Sequence, residues 1–86
     1  MRHIIRHNHD PEADAVYITL SEKTYSFGED LGPERRIDYA ADRTPIGIEL
    51  LAVSQGVDLD DLPYRDEIAR VLEKARIRVL DTQSTS

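Results

Sequence analysis

The chain has 86 residues, of which 40% are apolar and 33% are charged, and this is enough for one small domain. Seventeen acidic residues against eleven basic ones give a net charge of −6, which argues against nucleic-acid binding because a phosphate backbone requires a basic surface. Cysteine is absent, so disulfides, cysteine-ligated zinc sites and thiol catalysis are excluded.

Short strands separated by turns are predicted over residues 3–54, because apolar side chains there recur at every second position. The clearest run is Val16, Ile18 and Leu20, which is typical of a half-buried strand. The predicted strands, in chain order, lie at 3–7, 16–20, 25–27, 35–39 and 46–50. The connections between them are short and favour antiparallel neighbours, so we predict an antiparallel β-meander of four to five strands.

The pattern changes to the period of a helix after residue 57. Pro63 suits the first turn of a helix, and one apolar stripe at i, i+3, i+4 and i+7 follows it. The residues of this stripe are Ile68, Val71, Leu72 and Ala75. Ile77 and Val79 then alternate with polar residues, which predicts a short final strand.

These elements combine into a single α+β domain at residues 3–80. The meander occupies 3–54, and the helix with the final strand forms a C-terminal extension at 57–80. The inner face of the meander has nothing else to bury against, so we expect the helix to pack on this one face of the sheet. The polar tail at residues 81–86 is predicted to be disordered.

Three histidines near the N-terminus are the only candidates for a metal site. His3, His7 and His9 occupy odd positions, which share one face of a strand. His7 and His9 could bind a metal together with an oxygen ligand from Asp10 or Asp14. The spacing matches no established metal motif, and solvated histidines on a polar edge strand are the commoner explanation. We therefore expect no cofactor.

Carboxylates form the second set of candidates, which comprises Asp10, Glu12, Asp14, Asp38 and Glu49. Paired carboxylates perform acid–base catalysis when one is desolvated and the other stays charged. Asp10 and Asp14 flank a turn, however, and backbone capping explains them more simply. Asp38 and Glu49 belong to strands that we expect to be neighbours, on the polar face of the sheet. We predict no catalytic residue among them.

A glycine inside the last predicted strand requires a separate explanation. Gly47 lies between Ile46 and Ile48, where a glycine weakens a strand unless another group approaches closely. It is too isolated to belong to a phosphate-binding loop. We expect it to make room for an aromatic ring, either that of Tyr17 or that of Tyr39.

Two sequence strings resemble a small prokaryotic family, domain-of-unknown-function family 2283. They are Asp10-Pro11-Glu12-Ala13-Asp14-Ala15-Val16-Tyr17-Ile18-Thr19-Leu20 and the block from Ile37-Asp38-Tyr39 through Ile46-Gly47-Ile48-Glu49-Leu50-Leu51. The resemblance spans roughly residues 3–54 and implies a small β-meander without an established activity. The family's suggested gene context, beside small toxin-like proteins, implies an antitoxin role. His9 stands where such proteins commonly carry an aromatic residue, which favours a packing role for His9 over a metal-binding one.

The function expected from these observations is that of a noncatalytic, homo-oligomeric interaction domain, with a homodimer as the expected assembly. A domain of this size buries only about 60% of its unfolded surface, so a second subunit would stabilise its thin core. The alternatives are an antitoxin-like neutraliser of a small basic toxin and a metal-binding or small hydrolytic enzyme that uses the N-terminal histidines. We expect a cytoplasmic protein without a membrane-spanning segment, because no apolar run approaches about 18 residues. The binding residues expected on the polar face are Asp14, Tyr17, Asp38 and Glu49.

Overall fold

The computed structural model describes residues 3–80, and the tail predicted to be disordered lies outside them. The strands are β1 (Arg6–Asp10), β2 (Ala15–Thr19), β3 (Phe27–Asp30), β4 (Arg35–Tyr39) and β5 (Pro45–Leu51). A 3₁₀ turn at Val53–Gln55 and one helix, α1 (Arg65–Lys74), follow the sheet. The predicted α+β class, with an antiparallel sheet and one helix near the C-terminus, is confirmed. None of the helical segments within residues 3–80 is long and apolar enough to cross a membrane.

The five strands form one sheet in the order β1-β2-β5-β4-β3, and all neighbouring strands are antiparallel. This order departs from a simple meander in one respect, because β2 lies beside β5 rather than beside β3. The connection from β2 to β3 therefore crosses one end of the sheet. The reason is burial: β5 buries Ile46, Ile48 and Leu50 and takes the central position, whereas β3 is mostly exposed and forms an edge.

The core lies between one face of the sheet and α1. Cross-strand pairing places Ile18 against Ile48, and both side chains are fully buried. Ile68 and Leu72 of α1 join the same cluster and are also fully buried. Because they are four residues apart on the helix, both point to the sheet. The segment that leads to the helix adds further buried side chains, namely Val53, Val57, Leu59 and Leu62.

The helix and the final strand are shorter than the sequence predicts. The helix begins at Arg65 rather than near Pro63, because Tyr64 adopts a left-handed conformation with φ of 55°. The predicted final strand is reduced to one isolated parallel bridge between Val57 and Val79. Two hydrogen bonds hold it, from Val57 N to the Arg78 carbonyl at 2.9 Å and from Leu80 N to the Val57 carbonyl at 2.8 Å.

The first strand is displaced toward the C-terminus relative to its prediction at 3–7. β1 begins at Arg6. The Ile5 N–H still donates to the Thr19 carbonyl of β2 at 2.8 Å, whereas His3, two residues earlier, contacts the start of the helix. The His3 ring stacks on Tyr64 at a centroid distance of 4.0 Å. Its Nδ1 and the Oε1 of Glu67 are 2.6 Å apart, and its backbone N–H donates to the same carboxylate.

Candidate functional site

The two faces of the sheet differ in composition. One face carries the apolar core and α1, and we call the opposite one the outer face. Side chains alternate between the two faces along each strand, so the neighbours of the buried isoleucines belong to the outer face. The outer-face residues of the three central strands include Tyr17 on β2, Gly47 and Glu49 on β5, and Arg36 and Asp38 on β4. Three of the four predicted binding residues therefore share one face.

Tyr17 and Asp38 are joined across the central strand. The Tyr17 hydroxyl donates a hydrogen bond to Asp38 Oδ2 at 2.8 Å. The tyrosine ring passes over Gly47, which pairs with Asp38 on one side and with Thr19 on the other. A Cβ atom at Gly47 would overlap with the hydroxyl and the ring of Tyr17, and it would lie 2.9 Å from one ring carbon. The predicted role of Gly47 is confirmed, and Tyr17 is the aromatic residue that it accommodates.

The surroundings of Tyr17 keep its hydroxyl protonated. Burial raises the pKa of Tyr17 to about 12, and the hydrogen bond to Asp38 and the negative charges of Asp38 and Glu49 add to this effect. Each of these causes disfavours the phenolate, either by desolvating it or by placing another anion nearby. At neutral pH, Tyr17 is therefore a hydrogen-bond donor and not a base.

Arg36 extends this connection toward the edge of the sheet. Its guanidinium donates to Asp38 Oδ1 from Nε, to Asp30 Oδ1 from Nη1 and to the Tyr25 hydroxyl from Nη2, at 3.2 Å each. The guanidinium lies over Gly28, where any Cβ atom would displace it. We call Tyr17, Asp38, Arg36, Asp30 and Tyr25 the outer-face network. Arg36 was not among the predicted site residues, although the spacing of Arg36 and Asp38 places both on one face of β4.

Glu49 lies between two members of the outer-face network without joining it. Its register partners are Tyr17 on β2 and Arg36 on β4. The arginine turns to the other carboxylates instead, and the Glu49 side chain makes no hydrogen bond or ion pair within residues 3–80. Its side chain is half-buried. The outer face therefore presents, near its centre, a carboxylate that no cation contacts within residues 3–80.

Asp14, the fourth predicted binding residue, lies elsewhere and stabilises a turn. It is the last residue of the β1–β2 turn and adopts a left-handed conformation with φ of 55°. Its Oδ1 accepts from Ser54 N at 2.9 Å, and its Oδ2 accepts from Ser54 Oγ at 2.7 Å. The Asp14 carbonyl also accepts from Val53 N at 3.1 Å. Asp14 thus ties the turn before β2 to the 3₁₀ turn after β5.

The candidate metal ligands do not converge. The register places His7 opposite Ile18 and His9 opposite Val16, so both histidines belong to the core side of the sheet. Asp10 is paired with Ala15 and belongs to the outer face, where its Oδ1 accepts from Ala13 N at 3.3 Å. Within residues 3–80, no three histidine, aspartate or glutamate side chains are arranged to hold a metal ion.

Comparison with known proteins identifies a family for this sheet. Residues 8–54 match a family described as protein of unknown function, DUF2283, and this segment is 47 of the 86 residues. It contains Tyr17, Asp38 and Glu49, whereas α1 lies beyond it. No curated protein and no solved structure matches the chain. Because the match covers more than half of the sequence, the chain belongs to the DUF2283 family of proteins of unknown function.

Proposed function

We propose that this protein is a noncatalytic interaction domain that works as a homo-oligomer and binds a positively charged segment of a partner on its outer face. The observation that carries this proposal is Glu49, a half-buried carboxylate without an ion pair in the described part of the chain. A carboxylate that is partly removed from water gains most from a cation placed beside it. A lysine or arginine side chain of a partner supplies that cation.

The residues around Glu49 favour binding because they are already fixed. Tyr17, Asp38 and Arg36 hold one another by hydrogen bonds, so they lose little conformational freedom when a partner arrives. The single positive charge of Arg36 is shared between Asp30 and Asp38, so with Glu49 this part of the outer face carries three carboxylates against one guanidinium. The net charge of −6 also steers a basic partner toward the protein. An antitoxin-like neutraliser of a small basic toxin is one specific form of this function.

The noncatalytic part of the proposal follows from the state of the same side chains. Tyr17 remains protonated at neutral pH, and Arg36 is occupied by two carboxylates and a hydroxyl. The alternative of a metal-binding or hydrolytic enzyme requires His7, His9 and Asp10 to act together. The strand divides them between its two faces, so the geometry supports this alternative less well.

The homo-oligomeric part rests on the two open edges of the sheet. Among residues 3–80, β1 and β3 each have a neighbouring strand on one side only, and an open edge is a ready template for strand pairing between chains. The small core gives a second reason, because burial between subunits would add to it. We expect the assembly to act in the cytoplasm. Disulfides rarely form there, so a chain without cysteine loses no stability by lacking them.

A titration with a short lysine-rich peptide tests the outer-face site. We expect the amide resonances of Glu49 and Tyr17 to shift, and Glu49→Gln to weaken binding by roughly fivefold, which corresponds to one lost ion pair of moderate strength. Glu12→Gln is the matched control, because it removes the same charge from the exposed β1–β2 turn. Equal weakening by both variants would show general attraction to an acidic protein and would overturn the site.

A further inference from the structure

β1 is an edge strand whose exposed backbone groups can be assigned residue by residue. The Leu20 N–H donates to the Ile46 carbonyl at 2.8 Å, which continues the β2–β5 ladder. In an antiparallel ladder, alternate residues direct their backbone groups to opposite neighbours. The backbone groups of Val16 and Ile18 therefore bond to β5, and those of Ala15, Tyr17 and Thr19 turn to β1. The Thr19 carbonyl accepts from Ile5 N at 2.8 Å, so Thr19 turns to the side of β1, and Ile5 itself lies before β1 and outside its regular alternation.

The same alternation fixes which groups of β1 are left unpaired. Arg6, Asn8 and Asp10 lie opposite the β2 residues that turn to β1, so their backbone groups bond to β2. The N–H and C=O groups of His7 and His9 then point away from the sheet. The open edge thus presents two donors and two acceptors, on a strand whose residues are all exposed.

The sequence of β1 is complementary to itself. If two copies pair antiparallel about Asn8, His7 of one copy lies opposite His9 of the second copy, and the outward groups of both form four hydrogen bonds between chains. Arg6 then lies opposite Asp10 of the second copy at both ends of the pairing. Opposite charges in directly facing positions stabilise a strand pair. Arg6 already contacts Glu22 at 3.0 Å, but that pair is exposed and the guanidinium keeps further donors.

The other edge of the sheet lacks this complementarity. β3 has the sequence Phe-Gly-Glu-Asp and carries two negative charges without a positive one. Antiparallel pairing of two copies about Glu29 would set that carboxylate against its own copy, and like charges directly opposite destabilise a strand pair. The exposed ring of Phe27 is stacked on Tyr39 at 5.1 Å within the same chain. The charges of the two edge strands therefore favour self-association through β1 rather than through β3.

We infer that the protein forms a homodimer in which two β1 strands pair antiparallel about a two-fold axis at Asn8, joining two five-stranded sheets into one of ten strands. The inference deepens the proposed homo-oligomeric function and rests on it. It leaves the outer face of both subunits on the same side of the continuous sheet, so a dimer presents two Glu49 carboxylates to a partner.

Substitution of a single backbone donor tests the interface. His9→Pro removes an N–H that points to the open edge and leaves the β1–β2 ladder complete, whereas His9→Ala keeps that N–H and is the matched control. We expect His9→Pro to raise the dimer dissociation constant at least about tenfold in sedimentation equilibrium, because two of four interchain hydrogen bonds are lost. His9→Ala should change it by less than about threefold.

Exchange of the facing charges provides a second test that does not depend on proline. Arg6→Asp and Asp10→Arg should each be largely monomeric alone, because like charges face each other, and should form a heterodimer when mixed. A wild-type protein that stays monomeric at high concentration overturns both this interface and the homo-oligomeric function. A wild-type dimer that His9→Pro and both charge variants leave unchanged overturns only the β1 interface.

Discussion

At the scale of single residues, Tyr17 and Gly47 depend on each other. The ring of Tyr17 lies where a side chain on Gly47 would be, and its hydroxyl reaches Asp38 only by crossing that position. The sequence predicted this contact because glycine inside an otherwise apolar strand needs a close neighbour. It left open whether Tyr17 or Tyr39 fills the space, because that choice depends on which strands are neighbours.

Tyr17→Phe tests the hydrogen bond in this contact. The variant keeps the ring and loses the hydroxyl, so we expect the free energy of unfolding to fall by about 1 kcal/mol at neutral pH. The folded-state pKa of about 12 exceeds the ordinary tyrosine value near 10, so this group's contribution is complete below pH 10 and is lost as the pH rises through 12. Urea denaturation should show the difference between the two proteins shrinking over that range. A difference that grows with pH would contradict the assignment.

Gly47→Ala tests the close approach itself. The added methyl group would overlap with the Tyr17 ring, so we expect the free energy of unfolding to fall by about 1–3 kcal/mol. In a Tyr17→Ala background the same substitution should cost little, because the ring is gone. The two substitutions are in contact and should therefore be non-additive in a double-mutant cycle followed by urea denaturation. Additive effects would show that the Tyr17 ring is not the reason why position 47 requires glycine.

At the scale of elements, the Asp14–Ser54 contact connects the start of β2 to the end of β5. Both oxygens of the carboxylate accept hydrogen bonds from one serine, and the two strands are neighbours in the sheet. Asp14 was predicted to be a capping residue or a binding residue, without any link to Ser54, which is 40 positions away. Local patterns carry no information about such a distant partner.

Asp14→Ala tests this connection. We expect the free energy of unfolding to fall by about 2 kcal/mol, because two hydrogen bonds are lost and alanine is poorly suited to the left-handed conformation. Asp14→Asn should cost less, since it keeps an acceptor and tolerates that conformation. Ser54→Ala removes only the hydrogen bond from Ser54 Oγ to Asp14 and keeps the one from Ser54 N. If Asp14→Ala unfolds at the same urea concentration as the wild type, the contact does not stabilise the fold.

Sequence patterns predict which side chains of the strands are buried, but they do not predict the order of the strands in the sheet. Alternation at Val16, Ile18, Ile46 and Ile48 correctly predicted which side chains are buried, because a strand exposes its two faces in turn. Alternation does not say which strands are neighbours. Short connections favoured a simple meander, whereas the buried side chains of β5 favour its central position beside β2. Sequence patterns also do not predict that Asp30 and Tyr25 belong to the outer-face network, because only the assembled sheet brings them close to Arg36.

At the scale of the whole molecule, the family segment does not contain everything that its sheet requires. The match ends at residue 54, yet Leu59, Leu62, Ile68 and Leu72 are buried in the same cluster as the sheet. Without them the inner face of the sheet would be exposed to water. The prediction of one domain over residues 3–80 follows from the same requirement, because each half buries the apolar face of the other.

Truncation tests this dependence. A chain ending at Gly56 lacks the helix, and we expect it to show no cooperative unfolding transition, since the loss of several fully buried side chains exceeds the stability of a small domain. A chain ending at Leu80 keeps every described contact and is the matched control. Circular dichroism and thermal melting distinguish the two. A cooperative transition in the shorter chain would show that the sheet folds alone.

Native mass spectrometry of the untagged protein decides whether the proposed interaction domain assembles and binds a basic partner. We expect a species of twice the chain mass at micromolar concentration, which binds a lysine-rich peptide. A species of the mass of a single chain at every concentration, with no peptide bound, would overturn the proposal.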